Sequence, residues 1–183
     1  MNHIPDFPLS SDSPAARGFM RRGVAAFSGA VRFLRALPGT PGSWHADDPR
    51  RVLPEGGGSR AAKHALLATL AMEHRVRLQL VLGIYEIDAG NTPSAAGVLR
   101  GARLASVPDA DCFLSYDGRD LDLTSEAGAP PLVHREPIAP AEIGAYRLAV
   151  YHRFLWEWTR ARGWEMGAAL EVRRKCVEAR DLA

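Results

Sequence analysis

The chain has 183 residues, of which 46% are apolar, and a formal net charge of +2. This length and apolar content suit one domain with a hydrophobic core and exclude a wholly disordered chain. The near-balance of charges gives no electrostatic basis for binding nucleic acid or a membrane surface, and no apolar run is long enough to predict a membrane-spanning helix.

The beginning of the chain and its cysteines indicate a cytoplasmic protein. The first residues lack the basic start and apolar stretch of a secretory signal peptide, so we expect none. Two cysteines are too few for a disulfide framework and suit a reducing compartment. Residues 1–13 are rich in Ser, Pro and Asp, which predicts a disordered arm before a single domain over 14–183.

The first half of the chain is predicted to contain two helices and a long strand. A helix is expected over 13–37, because Ser13 can cap it and apolar residues recur at helical spacing. Proline and glycine residues predict a loop over 38–59, and a second helix begins where that loop ends. The β-branched and aromatic residues of 76–87 favour a buried strand.

The second half is predicted to contain a β-hairpin and two closing helices. Asp117-Gly118 is typical of a tight turn between two strands. The two strands are predicted over 112–116 and 119–123. The two helices are predicted over 141–162 and 164–180. Loops are predicted over 91–108 and 125–139.

Two motifs resemble those of a known family. Residues 56–67 (GGGSRAAKHALL) resemble the Gly-Thr-Cys-Ser-x-Lys-His-Ala-Leu-Leu motif of small bacterial transglutaminase-like proteins, and 108–114 (PDADCFL) resemble their Pro-Glu-Ala-His-x-Tyr-Leu strand. Residues 121–124 (LDLT) match a third segment, and the resemblance extends over about 27–180. It implies an α+β fold with a papain-like core, in which a site helix packs on a small antiparallel sheet and C-terminal helices close the domain.

The resemblance also implies that the thiol chemistry of the family has been lost. The family's catalytic Cys position is occupied by Arg60 and its His position by Asp111, whereas Asp122 matches the third catalytic residue. A guanidinium is not a nucleophile, so acyl transfer through position 60 is excluded. Ser59 is the nearest hydroxyl, but no histidine base replaces Asp111 beside it. Cys112 should point to the opposite face of its strand, into the core.

The substituted residues predict an ion-pair cluster. Arg60 and Asp111 would pair across the former thiol–imidazole gap, with Asp122 facing them. Two carboxylates this close could raise the pKa of one of them and leave a proton donor near neutrality. Three roles remain open: a structural salt bridge, a site where Arg60 binds a substrate carboxylate, and direct catalysis by Asp111 or Asp122.

Further substrate contacts are expected around this cluster. The candidate residues lie at the start of the site helix, at the end of the long strand and in the loop that follows it: Ser59, Lys63, His64, Tyr85, Glu86 and Asn91. His64 is expected either to support the site from beneath or to contact a ligand. Glu86 is expected to be either an additional acid or base or a solvent-exposed residue at the end of the strand. No paired-His spacing indicates a metal site, so we expect neither metal nor cofactor.

The sequence therefore predicts a repurposed transglutaminase-like protein. Its function would be to bind and transform a small acid, acyl or amide compound by non-covalent acid–base catalysis. A role in specialised metabolism would suit such a departure from the family's chemistry, but this is suggested by analogy alone. The alternative is a non-catalytic pseudoenzyme that binds a peptide, a metabolite or a protein partner. An enzyme requires an open polar cleft, whereas a pseudoenzyme can have a filled one.

Overall fold

The chain combines helices and strands in an α+β arrangement. A computed structural model describes residues 4–39, 48–124 and 128–181. The described helices are α1 (Pro14–Met20), α2 (Phe27–Ala36), α3 (Val52–Glu55), α4 (Arg60–Glu73), α5 (Ala96–Ala102), α6 (Ala145–Arg162) and α7 (Met166–Asp181). The described strands are β1 (Gln79–Asp88), β2 (Ser106–Tyr116), β3 (Arg119–Leu121) and β4 (His134–Pro137). They form an antiparallel sheet in the order β3-β2-β1-β4, and the predicted α+β class is confirmed.

The chain divides into two compact units, each assembled from three stretches. The first unit comprises Met1–Leu82, Asp111–Ala129 and Glu136–Arg147. The second comprises Gly83–Ala110, Pro130–Arg135 and Leu148–Ala183. Because the stretches interleave along the chain, no single point in the sequence separates one unit from the other.

The first unit is organised around α4. Its N-terminus is capped by Ser59, whose hydroxyl accepts a hydrogen bond from the Ala62 N–H at 3.1 Å. Ten of the fourteen residues of α4 are buried, including the polar Lys63 and His64, and both α1 and α2 pack against the helix. Buried polar groups are costly unless they are hydrogen-bonded, so these two side chains require partners inside the unit.

The start of the first unit differs from the predicted arm. Residues 1–3 lie outside the described residues, but the following segment is hydrogen-bonded: the Leu9 N–H donates to the Ala25 carbonyl at 2.9 Å, and the Phe27 N–H donates to the Phe7 carbonyl at 3.0 Å. The Phe7 ring stacks on Phe27 with centroids 4.8 Å apart. The polar composition of this segment obscured the two apolar anchors, Phe7 and Leu9.

The predicted helix over 13–37 is wrong in its continuity. Ser13 caps α1 as expected, accepting from the Ala16 N–H at 3.0 Å. The helix then ends, because Gly23 adopts a left-handed φ of +77° and the Val24 N–H returns to the Phe19 carbonyl. The apolar periodicity continues into α2 and masks this break.

The hairpin turn of the first unit lies where it was predicted, although β2 begins at Ser106 rather than at 112 and β3 ends at Leu121 rather than at 123. Leu114 pairs with Leu121 and Tyr116 with Arg119, and the turn residues Asp117 and Gly118 have φ of 48° and 73°. Two positive φ values are typical of a type I′ turn, which matches the twist of the flanking strands.

The second unit fixes α7 through a buried carboxylate, Asp109. Its Oδ1 accepts from Arg173 Nε at 2.7 Å, its Oδ2 accepts from the Tyr85 hydroxyl at 2.9 Å, and Arg180 Nη1 lies 3.7 Å from Oδ2. Burial raises the pKa of the Asp109 carboxyl, but the two guanidinium groups and the tyrosine lower it by more, so the net shift is downward. Asp109 is thus an ionised anchor for the last helix.

Two predicted loops contain regular structure. The loop predicted over 91–108 includes α5, and the loop predicted over 125–139 includes β4. Among the described residues, none of the helices has the length and apolar character that crossing a lipid bilayer requires.

Candidate functional site

A charged cluster lies at the start of α4 in the first unit. Arg60 Nε is 3.4 Å from Asp111 Oδ2, and Arg60 Nη1 is 3.2 Å from Asp122 Oδ2. The predicted pairing of the guanidinium with two carboxylates is therefore confirmed, and we call these three residues the Arg60 cluster. The exposed fractions of the side chains are 26% for Arg60, 13% for Asp111 and 0% for Asp122, so the cluster has one accessible side.

Three different elements position the Arg60 cluster. Arg60 is the first residue of α4, Asp111 lies in β2, and Asp122 directly follows β3. The pairing of β2 with β3 holds together the two strands that Asp111 and Asp122 belong to or follow. A cation at a helix N-terminus is disfavoured by the helix dipole, and the two carboxylates offset this unfavourable interaction.

Asp122 is the buried anion of the cluster. Its Oδ1 accepts hydrogen bonds from the Thr124 N–H at 2.9 Å and the Thr124 hydroxyl at 2.8 Å. Burial raises the pKa of the Asp122 carboxyl, but the Arg60 guanidinium and the Thr124 hydroxyl oppose this effect, and the net shift of the pKa is downward. The expectation of a proton donor near neutrality is therefore wrong for Asp122, which is ionised.

His64 connects α4 to the two segments that carry the carboxylates. The Leu123 N–H donates to His64 Nε2 at 3.0 Å, which makes Nε2 an acceptor and assigns the proton to Nδ1. Nδ1 in turn donates to the Cys112 carbonyl at 2.7 Å. In this tautomer the 3.4 Å separation between Nε2 and Asp122 Oδ1 is not a hydrogen bond, so Arg60 and Thr124 stabilise the Asp122 carboxylate. The geometry gives His64 a positioning role.

Lys63 and Ser59 also act inside the unit. The Lys63 ammonium donates to the Leu37 carbonyl at 2.6 Å and thereby ties α4 to the end of α2. Burial lowers the pKa of this ammonium group. The Ser59 hydroxyl caps α4. Lys63 and Ser59 were both predicted to contact a ligand, but their side chains form hydrogen bonds within the protein.

Arg147 is a member of the site that the sequence analysis missed. Its Nη1 lies 3.5 Å from Asp111 Oδ1, and its side chain is buried. The sequence does contain a feature that could have identified Arg147: it lies four residues after Ile143, on the apolar face of the predicted helix. The Cys112 side chain beside Asp111 is fully buried, as predicted from strand alternation.

The remaining predicted site residues belong to the second unit. Tyr85 donates to Asp109, and Glu86 accepts from the Ser106 hydroxyl at 2.8 Å and from Trp158 Nε1 at 3.3 Å. Asn91 Nδ2 donates to the Glu86 carbonyl at 2.7 Å. Both carboxylate oxygens of Glu86 are therefore hydrogen-bonded, which does not suit a solvated strand end.

Comparison with known proteins gives no assignment: no protein-family model, curated protein or solved structure matches this chain. Over the described ranges, no group of three or more His, Cys, Asp and Glu side chains could hold a metal ion.

The Arg60 cluster offers a hydrogen-bond donor beside an acceptor. When Arg147 is counted together with the Arg60 cluster, two arginines face two aspartates, so the formal charges of these four residues cancel. Only Arg60 and Asp111 are partly exposed within the cluster. An arginine donates and a carboxylate accepts, so a ligand at this surface needs both functions.

Proposed function

We propose that this chain is a transglutaminase-like protein in which non-covalent recognition of a small acyl or amide compound has replaced thiol acyl transfer. The observation that supports this proposal is the partly exposed Arg60–Asp111 ion pair, with 3.4 Å between its charged atoms, at the two positions where the family has Cys and His. A guanidinium at that position binds a carbonyl oxygen but forms no covalent intermediate with it.

A neutral amide suits this ion pair better than a carboxylic acid does. The amide carbonyl accepts from Arg60, and the amide N–H donates to Asp111, so both partners are used. A carboxylate would compete with Asp111 and Asp122 for the guanidinium and would face a like charge. We therefore expect affinity to fall from amides and acyl compounds to free acids.

Proton transfer at the site falls to Asp111. Asp122 is buried and ionised, and it acts on Arg60 rather than on a ligand. Asp111 would take a proton from the substrate or from an attacking water while Arg60 stabilises the developing negative charge on the carbonyl oxygen. Hydrolysis, cyclisation and isomerisation are the reaction types considered, because protonated Asp111 can return its proton to the leaving group in the first two and to the substrate in the third.

Binding without turnover is the second candidate function. It is favoured by the contacts of Asp111 with two guanidinium groups, because Arg60 lies at Oδ2 and Arg147 at Oδ1, so both carboxylate oxygens already have partners. The same ion pair would then recognise an amide of a peptide, a metabolite or a protein partner.

A thermal-shift screen with Arg60→Ala as the matched variant tests the binding proposal. Small primary amides, N-acetylated amino acid amides and the corresponding acids are compared at equal concentration. A ligand of the Arg60 cluster raises the Tm of the wild type and not that of Arg60→Ala. Equal shifts in both proteins would refute binding at the cluster. Any turnover of a hit that survives Asp111→Asn would refute the role of Asp111 as base.

Restoring the thiol pair tests the resemblance itself. The double variant Arg60→Cys/Asp111→His should react with iodoacetamide at mildly acidic pH faster than Arg60→Cys alone. The reason is that a neighbouring imidazolium and the helix N-terminus lower a thiol pKa from about 8.5 to about 3.5–7.5. The native Cys112 and Cys176 are fully buried, so their background reaction should be small. Equal rates for the two variants would count against the family assignment.

A further inference from the structure

The second unit contains a cavity that the proposed function does not use. Its volume is about 260 Å³, and it is lined by Ile84, His134, Val150, Arg153, Phe154 and Glu157. Ile84 comes from β1 and His134 from β4, whereas the other four are spaced i, i+3, i+4 and i+7 on α6. Residues at this spacing share one helix face, so the cavity lies between that face and the two strands.

The inner part of the cavity is apolar. Ile84 is fully buried and Val150 is 5% exposed. The Phe154 ring lies 6.4 Å from the His134 ring at an interplanar angle of 52°. These side chains provide an aliphatic and aromatic surface for a small apolar group.

The outer part of the cavity carries two opposite charges that are not paired. Arg153 and Glu157 are four residues apart on α6 and both exposed, yet within the described part of the chain neither makes an ion pair. On α7, Arg174 pairs with Glu178 at the same spacing. Ion pairing across one helical turn is thus available to this chain, but at the cavity the two charges are left for other partners.

We infer that this cavity binds a small zwitterion, namely a free amino acid with an apolar side chain. Arg153 receives the carboxylate, Glu157 receives the ammonium group, and the side chain rests on Ile84, Val150 and Phe154. The cavity is smaller than the roughly 300–1,000 Å³ typical of pockets for drug-sized ligands, which suits a ligand of this size. Charge-assisted contacts to the carboxylate and to the ammonium group, which share the ligand's α-carbon, provide the selectivity for a zwitterion.

An NMR titration with leucine as the probe tests this inference. Leucine should perturb backbone amide signals at 84, 134 and 150–157. Two matched analogues, 4-methylpentanoate without the ammonium group and 3-methylbutylamine without the carboxylate, should bind at least about tenfold more weakly, because each loses a charge-assisted contact. Absence of perturbation at these residues, or equal affinity for leucine and either analogue, would overturn the inference.

Variants show whether leucine binds at this cavity or elsewhere on the protein. Arg153→Gln and Glu157→Gln should each weaken leucine binding by at least about tenfold. Both residues are exposed, so circular dichroism should show unchanged folding. Arg160→Gln is the control on the same helix, since Arg160 lies over the Trp156 ring and does not line the cavity. Arg60→Ala should also leave leucine binding unchanged. Wild-type affinity in both cavity variants would refute the assignment.

Discussion

Arg60 occupies a position that is intrinsically unfavourable for a cation. It begins α4, where the partial positive charge of the helix dipole repels the guanidinium. Asp122 is fully buried and ionised, so each group depends on the other. This mutual dependence explains how an arginine can lie at a helix start without moving fully into solvent.

Removing the guanidinium should destabilise the first unit. Arg60→Met leaves the Asp122 carboxylate buried without its cation, and we expect the free energy of unfolding to fall by about 2–4 kcal/mol. Urea denaturation followed by circular dichroism measures the change. Arg51→Met is the matched control, because Arg51 and its partner Glu55 are both exposed and such pairs contribute little.

A double-mutant cycle shows whether the two residues act together. Arg60→Met/Asp122→Asn removes both charges, so its loss of stability should be smaller than the sum of the single losses. If the losses of stability in the two single variants add up to the loss in the double variant, the contact of 3.2 Å between Arg60 Nη1 and Asp122 Oδ2 contributes no coupling energy.

At the level of elements, the sequence predicted what local interactions determine. The Ser59 cap, α4 and the Asp117-Gly118 turn depend on neighbouring residues and could be predicted from short motifs. The break at Gly23 could not, since Gly23 lies within a continuous helical pattern of apolar residues. Helix α5 lacks a side-chain cap and is short, so packing against α7 rather than local sequence stabilises it.

The same distinction holds for the candidate site. Pairing of Arg60 with Asp111 followed from the motif resemblance and from charge complementarity. The involvement of Arg147 depends on tertiary packing that brings α6 to β2, which no local pattern specifies. The lowered pKa of Asp122 likewise depends on partners from α4 and from Thr124, so counting two nearby carboxylates predicted the wrong direction.

Helix α7 should loosen when its carboxylate anchor is removed. Asp109→Asn retains the side-chain shape but removes the charge that Arg173 and Arg180 contact. We expect faster amide hydrogen exchange across 166–181, because these guanidinium groups lose their ionised acceptor. Glu171→Gln, an exposed change on the same helix that removes one of the two carboxylate partners of Arg174, should leave exchange near wild type. Equal protection in Asp109→Asn and wild type would refute the anchoring role.

At the scale of the whole molecule, each unit contains a buried carboxylate that is held ionised. Asp122 lies in the first unit and Asp109 in the second, and the pKa of each is lowered in the folded state. A lowered folded pKa means that the unfolded chain binds protons first as the pH falls. The stability from both groups is therefore complete above the unfolded pKa of about 3.9 and is lost below it.

Acid should consequently destabilise both units over the same range. We expect the Tm contribution of these two carboxylates to be constant from neutral pH to about pH 5 and to decline steeply below about pH 4, as protons bind preferentially to the unfolded chain. Thermal unfolding followed by circular dichroism at a series of pH values measures the profile. Asp122→Asn and Asp109→Asn should each have a lower Tm at neutral pH and a shallower acid decline, because an amide does not titrate in this range. Profiles parallel to the wild type in both variants would show that other carboxylates control the acid response.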